Sequence, residues 1–217
     1  MVATLYLRVE VVGCPTVCWH CWAQGVPYPA MPVADVAWVL EQTHRFCDNH
    51  GLGLGSYPMQ ELAAHPQAAE LLGLFADHVG AAEFEPLSTT GVPLAVRQDW
   101  QELLAAAAAL GTTTVWVAFH GLGVEHDRQV TRPGAFAETC LAIQRVHAAG
   151  LRAGANVFVT MANAGQASGC WRRWGGSRST RRPGSRRPTT PPRGAAATSG
   201  CARGRRSCCR WPTGSAS

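Results

Sequence analysis

Three cysteines lie close together near the N-terminus, in the segment Gly13-Cys14-Pro-Thr-Val-Cys18-Trp-His-Cys21. Their CxxxCxxC spacing places three thiols on one short loop, where they can bind a soft metal centre together. A structural zinc site is normally closed by four ligands. His20 lies between two of the cysteines, where reaching the same metal would strain the loop. The motif therefore favours a 4Fe–4S cluster with one open iron, and a zinc site and unligated cysteines are the alternatives.

The sequence around this loop alternates between strand patterns and helix patterns. Residues 4–12 alternate as in a strand, and residues 33–50 have apolar side chains at helical spacing. The same reasoning predicts strands over 52–57, 81–87, 113–119 and 151–160, and helices over 67–79, 98–110 and 135–149. This order predicts an α/β fold of about five parallel strands, either an open doubly wound sheet or part of a (β/α) barrel. In both, chemistry gathers at the carboxyl ends of the strands.

The chain divides into two regions of different composition. Residues 1–164 hold 7 Arg and all 14 acidic residues, whereas residues 165–217 hold 12 Arg and no acidic residue. The second region also lacks Val, Ile, Leu, Met, Phe and Tyr. It cannot bury enough apolar surface to offset an ordering entropy of roughly 1–2 kcal/mol per residue. We therefore expect a folded domain over 1–164 and a disordered tail, rich in Arg, Gly, Ser and Pro, over 165–217.

This tail has three interpretations. It could be a basic arm that neutralises nucleic-acid phosphates, the out-of-frame translation of a GC-rich gene, or a folded extension. The out-of-frame interpretation is favoured, because the three Trp and four Cys of the tail have no regular spacing. We accordingly expect no nucleic-acid partner, and we expect the folded region, which the tail leaves incomplete, to be poorly soluble and weak or inactive in its function.

The sequence predicts neither a membrane-spanning helix nor a secretory signal. No run of about 18 consecutive uncharged apolar residues occurs, so a membrane-spanning helix is not expected. The N-terminal residues alternate and include Arg8 and Glu10, which indicates a strand and not a secretory signal. We expect a cytoplasmic protein.

With these motifs in place, the sequence resembles the radical S-adenosylmethionine (radical SAM) superfamily. The cysteine spacing, its position after the first strand and the aromatic residue before the third cysteine all match. Glu61 falls on the Glu of the family's Gly-Gly-Glu-Pro segment, although Met59 and Gln60 replace its glycines. The segment 88–91, Ser-Thr-Thr-Gly, is similar to the family's Ser-Thr-Asn-Gly, and residues 117–136 resemble the stretch after the fourth strand. The resemblance covers about residues 4–160 and is closest to the branch that modifies peptides and proteins.

The resemblance implies a partial (β/α) barrel of the radical SAM type. Cys14, Cys18 and Cys21 would hold a 4Fe–4S cluster, whose open iron chelates S-adenosylmethionine. Its reductive cleavage gives a 5′-deoxyadenosyl radical, which abstracts hydrogen from a substrate, expected here to be a peptide or protein. The electron would come from a low-potential donor such as a flavodoxin or ferredoxin.

The resemblance also implies roles for residues that do not bind the cluster. Glu61 would contact the methionine amino group, and His20 would pack near the adenine or the cluster. Ser88 and Thr89 would contribute to cofactor binding. No residue is assigned a catalytic role of its own.

The remaining candidates have simpler interpretations. His120, His126 and Asp127 could form an acid–base pair, but structural hydrogen bonding is favoured for them. Cys47 and Cys140 lie on predicted helices and are most simply buried apolar residues. Two other classes of function are kept: a zinc-binding interaction module, which would not explain the strand–helix alternation, and a basic-tailed nucleic-acid binder, which would leave the cysteine loop without a role.

Overall fold

The structure is a computed structural model that describes residues 3–21, 28–59, 61–79 and 87–166. Its strands are β1 (Thr4–Glu10), β2 (Gly53–Met59), β3 (Ser88–Thr89), β4 (Thr114–Phe119) and β5 (Arg152–Val157). Its helices are α1 (Val33–His50), α2 (Ala68–Val79), α3 (Val92–Val96), α4 (Trp100–Ala109), α5 (Val124–Gln129) and α6 (Ala135–Ala148). A single 3-10 turn, Leu62–Ala64, follows β2.

The long helices lie where apolar periodicity predicts them, with ends that differ by at most two residues. The short helices α3 and α5 were not predicted, because five or six residues are too few to establish a helical period. The third strand was predicted over 81–87, of which 81–86 lie outside the described residues. The strand that the structure does describe there is Ser88–Thr89.

All strand pairs among the described residues are parallel. β1 pairs with β2, and β3, β4 and β5 pair in that order. Within each sheet, strands that follow one another in the sequence are neighbours, and β2 and β3 belong to different sheets among the described residues. A doubly wound sheet would reverse its strand order at a switch point. Neither sheet shows such a reversal, and the order within each is that of part of a (β/α) barrel, the second of the two predicted architectures.

The two faces of each strand have different surroundings. On β4, Val115, Val117 and Phe119 are buried and belong to the apolar core. The helices contribute leucines and a phenylalanine to the same core, among them Leu40, Leu71, Leu72, Phe75, Leu103 and Leu104. The alternate residues Trp116 and Ala118 project from the opposite face of β4, because successive side chains of a strand point to opposite sides. That opposite face is the interior of the partial barrel.

Two aromatic side chains on the interior face lie over glycines of the neighbouring strand. Tyr6 pairs with Gly55, and Trp116 pairs with Gly154. A Cβ atom on Gly154 would lie 2.5 Å from Cε3 of Trp116, and one on Gly55 would lie 2.7 Å from Cδ1 of Tyr6. These glycines leave the space that the two rings occupy, so the interior face carries an aromatic ring from one strand of each pair.

The described part of the chain ends just beyond β5. Gly165 and Gln166, the first two residues of the predicted tail, are described, and Gln166 Oε1 accepts a hydrogen bond from the Leu122 N–H at 2.9 Å. The disorder predicted for the rest of the tail falls on 167–217, outside the described residues. Within the described ranges, none of the helices combines the length and the apolar character needed to cross a bilayer.

Candidate cofactor site at the carboxyl ends of the strands

The cysteine loop follows β1 and is attached to the segment that follows α5. The Val17 N–H donates to the Val130 carbonyl at 3.1 Å, and the Trp19 N–H donates to the Gln129 carbonyl at 3.1 Å. The Thr131 hydroxyl donates to the Val17 carbonyl at 2.8 Å. Three hydrogen bonds therefore fix the backbone of Val17 and Trp19, on either side of Cys18, to a segment more than one hundred residues away in the sequence.

Thr131 makes its contact from a strained backbone conformation. Its φ angle is 53°, and within the described ranges no other residue except glycine has a positive φ. The left-handed region is a genuine outlier for a β-branched residue and persists only where the surroundings impose it. The hydrogen bonds that Thr131 and the two residues before it make to the cysteine loop are the contacts that impose it here.

The three cysteines line one cavity of about 200 Å³. The Thr16 hydroxyl lies between two of them, 3.3 Å from Cys14 Sγ and 3.6 Å from Cys18 Sγ. Burial raises the pKa of the Cys14 thiol to about 11 and also raises that of Cys18, although the hydrogen bond from Thr16 opposes both shifts. These thiols are therefore protonated at neutral pH until a positively charged centre stabilises their thiolate forms.

The three thiols share this cavity without converging on a single point. Among the residues that the structure describes, no group of three or more His, Cys, Asp and Glu side chains is placed to hold one metal ion. A single zinc ion requires such convergence. A 4Fe–4S cluster binds each cysteine through a different iron, so its ligands lie further apart.

The same cavity is lined by residues from the carboxyl ends of the other strands. They include every other residue that the sequence assigned to the site: His20, Glu61, Ser88 and Thr89. The remaining lining residues are Thr90, Ala118, His120, Asn156 and Phe158. Segments after five different strands therefore meet at one place, as expected for parallel strands that all begin at the opposite end of the barrel.

Glu61 is the most unusual of these residues, because it is a carboxylate that is only 2% exposed. One of its oxygens, Oε2, accepts a hydrogen bond from the Thr90 N–H at 2.5 Å. The other, Oε1, has no hydrogen-bond partner among the described residues. Burial raises the pKa of Glu61, and the hydrogen bond from Thr90 opposes that shift only in part. A buried carboxylate oxygen without a donor is a binding position for an ammonium group.

Three aromatic rings form one wall of the cavity. His20, His120 and Phe158 pack against each other, and each pair of ring centroids is 4.8 Å apart. Asn163 holds this wall in place, since its side-chain amide donates to the carbonyls of His120 at 2.8 Å and Phe158 at 2.7 Å. Asn163 and Phe158 were not predicted as site residues, because neither of them stands in a recognisable sequence motif.

The histidines after β4 have structural hydrogen bonds. His126 Nδ1 accepts the His120 N–H at 3.1 Å, and burial lowers the pKa of His126 to about 4 and that of His120 to about 3. Both rings are therefore neutral at pH 7. Asp127 accepts the N–H groups of Gly134 and Phe136, each at 2.8 Å. His126 and Asp127 thus accept backbone N–H groups, and the structural role favoured for these residues stays a prediction.

The described strands, and the loops that follow them, form a recognisable fold. Parallel strands in barrel order, with a cysteine loop after the first strand and polar residues after the others, make a partial (β/α) barrel of the radical SAM type. The predicted fold class is confirmed by likeness to solved structures. Neither a protein-family model nor the sequence of a curated protein matches the chain.

Two solved proteins illustrate the likeness. SuiB from Streptococcus suis, bound to S-adenosylmethionine, has a TM-score of 0.54 and 13% identity over 77% of this chain and 37% of its own. The protein anSMEcpe, bound to S-adenosylmethionine, has a TM-score of 0.53 and 13% identity over 79% of this chain and 48% of its own. It was also solved with a peptide, and that structure has a TM-score of 0.51 and 12% identity. The matched region thus spans less than half of either protein.

Proposed function

We propose that this chain is a radical SAM enzyme domain. In this proposal Cys14, Cys18 and Cys21 bind a 4Fe–4S cluster, and the cavity beside them binds S-adenosylmethionine. The observation that carries the proposal is the cavity itself, where the three thiols meet the buried carboxylate of Glu61. A soft metal centre accounts for the thiols, and an ammonium group accounts for the carboxylate.

The residues fit this pair of cofactors on the chemistry of their donor atoms. Buried thiols with raised pKa values need a positive centre, and iron supplies one. The amino group of S-adenosylmethionine would donate to Glu61 Oε1, the oxygen that lacks a described partner. When bound, the cluster and S-adenosylmethionine supply reductive carbon–sulfur cleavage and a 5′-deoxyadenosyl radical; the chain supplies ligands, orientation and shielding from water.

The surrounding residues orient the cofactor and exclude water. The Thr89 hydroxyl accepts the Gly91 N–H at 3.0 Å, and its hydrogen bond to Glu61 helps to orient that carboxylate. Ser88, one residue earlier, adds a second hydroxyl to the same wall. The stacked rings of His20 and Phe158 offer an apolar face on which an adenine ring can pack.

The substrate and the electron donor belong to this proposal as well. We propose a peptide or protein substrate, supported by the peptide bound to anSMEcpe. A flavodoxin or ferredoxin would deliver the electron, and a cytoplasmic location would supply both partners.

Anaerobic reconstitution with iron and sulfide tests the cluster. We expect about four iron and four sulfide per chain, with a broad visible absorption that bleaches under dithionite. Changing Cys14, Cys18 or Cys21 to Ala should abolish this absorption. Cys47→Ala is the matched control, because Cys47 is buried in α1 and does not line the cavity. Stoichiometric zinc without iron uptake would favour the zinc-binding module and overturn the enzyme.

Binding of S-adenosylmethionine to the reconstituted protein tests the second half of the site. Glu61→Gln should weaken binding about tenfold or more, because a hydrogen bond to a charged group is lost. Glu102→Gln is the control, since Glu102 is an exposed carboxylate on α4. Equal dissociation constants for the two variants in isothermal titration would show that Glu61 does not contact the cofactor.

A further inference from the structure

The centre of the cysteine motif carries a hydroxyl that faces two of the three thiols. Thr16 is separated from Cys14 and from Cys18 by one residue on each side, and it is 3% exposed. Its Oγ1 atom lies 3.3 Å from Cys14 Sγ and 3.6 Å from Cys18 Sγ, both within the range of hydrogen bonds to sulfur. A buried hydroxyl in this position has a specific pair of partners and not bulk water.

The direction of these hydrogen bonds depends on the state of the thiols. In the metal-free protein either the hydroxyl or a thiol can be the donor. A cysteine that binds iron is a thiolate and has no proton, so the Thr16 hydroxyl must then be the donor. Because threonine has a single O–H group, it can donate to one thiolate at a time. The hydroxyl can therefore donate to Cys14 or to Cys18, and this contact distinguishes these two ligands from Cys21.

We propose that Thr16 is a positioning residue that tunes the iron–sulfur centre by donating a hydrogen bond to a cysteine ligand. This inference rests on the proposed function, since it requires a cluster on the three cysteines. A hydrogen bond to a ligating sulfur stabilises the extra negative charge of the reduced cluster. The hydroxyl thus makes the cluster easier to reduce, and its removal makes the reduction potential more negative.

A second side chain, that of His120, also lies near the sulfur of Cys18 and is the alternative donor to it. His120 Nε2 lies 4.0 Å from Cys18 Sγ, at the outer limit of a hydrogen bond to sulfur. The hydroxyl of Thr16 is closer and approaches from within the loop itself. Thr16 is therefore the better placed of the two donors, and its contribution is separable from that of the histidine by substitution.

Redox titration of the reconstituted protein, followed by absorption and by electron paramagnetic resonance, tests this role. Thr16→Val replaces the hydroxyl with a methyl group of similar volume, and Thr16→Ser retains the hydroxyl. We expect a more negative midpoint potential and altered g-values in Thr16→Val, and values close to the unsubstituted chain in Thr16→Ser. Thr43→Val is the control, because the Thr43 hydroxyl donates to the Val39 carbonyl within α1 and should leave the potential unchanged.

The outcomes separate this inference from the proposed function. If the unsubstituted chain takes up no iron, the proposed function fails and the role of Thr16 fails with it. If Thr16→Val binds a full cluster with an unchanged potential, the role of Thr16 is overturned while the proposed function stands. If Thr16→Val folds but takes up no iron and Thr16→Ser does, the hydroxyl is needed to position the thiols, which supports the role. Failure of both folded variants to take up iron would exclude the hydroxyl as the cause.

Discussion

The layer between the strands and the helices differs from the layer at the carboxyl ends of the strands. The first is built from Leu, Val, Ala and Phe side chains that are almost fully buried. The second buries polar groups as well, among them Thr16, Glu61, Thr89, His120, His126 and Asn163. The first layer follows a repeating pattern, whereas the polar groups of the second make individual contacts, and Glu61 Oε1 makes none among the described residues.

This difference separates what stabilises the fold from what the site can bind. Burying apolar side chains is favourable without any special geometry. Burying Glu61 with one oxygen unpartnered is unfavourable in the ligand-free chain. The carboxyl-end layer therefore contributes little stability for the area that it buries, and the proposed function accounts for this cost because a bound ammonium group would satisfy that oxygen. The predictions below test this contrast, from the largest expected effect to the smallest.

Truncation of a core leucine should have the largest effect. Leu71 on α2 is 0% exposed, and Leu71→Ala should lower the free energy of unfolding by about 2–5 kcal/mol. Leu141→Ala on α6 is the control, because Leu141 is 39% exposed and should cost less than about 1 kcal/mol. Urea unfolding followed by circular dichroism measures both. Similar costs for the two variants would show that the helix-facing layer is not the main source of stability.

The same contrast explains how much could be predicted from the sequence. Helices α1, α2, α4 and α6 were predicted because their apolar residues recur at a helical period, and the parallel strands followed from their alternation with the helices. The cysteine loop was predicted from its spacing, and Glu61, Ser88 and Thr89 were predicted from weak motifs that occur in the same order as the strands. The structure places all of them around one cavity, and their roles stay predictions.

The rest of the site could not be predicted because its contacts depend on loop geometry. Asn163 binds two carbonyls that its neighbours in the sequence do not reveal. Thr131 contacts the cysteine loop from a backbone conformation that no threonine pattern indicates. Asn156 is a partial exception, since a polar residue on the interior face of β5 follows from strand alternation once the strand is known.

Acid should destabilise the chain through His126. Burial lowers the pKa of His126 to about 4 in the folded chain, below the value of about 6.5 expected when it is unfolded. The unfolded chain therefore binds a proton first as the pH falls. The contribution of His126 to the free energy of unfolding is fully present above about pH 6.5. It falls by roughly 3 kcal/mol as the pH falls to about 4.

His126→Gln should reduce this pH dependence and can still accept the His120 N–H. Urea unfolding midpoints between pH 4 and pH 7 provide the measurement, and His147→Gln, at an exposed position on α6, is the control. If His126→Gln loses as much stability in acid as the unsubstituted chain does, the pH dependence does not come from His126.

Loss of the Glu61 charge should affect stability much less than it affects binding. Burial raises the pKa of Glu61 in the folded chain, so the folded state retains a proton to higher pH than the unfolded state does. Stability is therefore greatest below the unfolded pKa of about 4.3 and falls as the pH rises through the raised pKa. Glu61→Gln removes this loss, and its free energy of unfolding at pH 7 should lie within about 1 kcal/mol of the original or above it.

Measured beside Leu71→Ala, the Glu61 variant distinguishes a binding group from a structural one. Urea unfolding of the metal-free chains at pH 5 and pH 7 is the measurement. A cost of several kcal/mol for Glu61→Gln at both values would mean that Glu61 holds the fold together, and the contrast between the two layers would then be wrong.

The smallest expected effect concerns the strained anchor of the cysteine loop. Thr131→Val keeps the unfavourable positive φ but loses the hydroxyl that donates to the Val17 carbonyl. It should destabilise the chain by about 1 kcal/mol. Thr131→Gly also loses the hydroxyl but removes a backbone strain of about 1 kcal/mol or more, so it should remain close to the original stability.

Hydrogen exchange shows whether this anchor acts on the cysteine loop. The amide of Val17 donates to the Val130 carbonyl beside the anchor, so it should exchange faster in Thr131→Val. Thr43→Val, which loses a hydrogen bond inside α1, should leave that amide unchanged. The order of stability, with Thr131→Val lowest and Thr131→Gly near the original, depends on strain and hydrogen bonding having opposite signs at this residue. If Thr131→Gly is the less stable of the two, the strain is not the opposing contribution and the backbone of the loop is held by its other contacts.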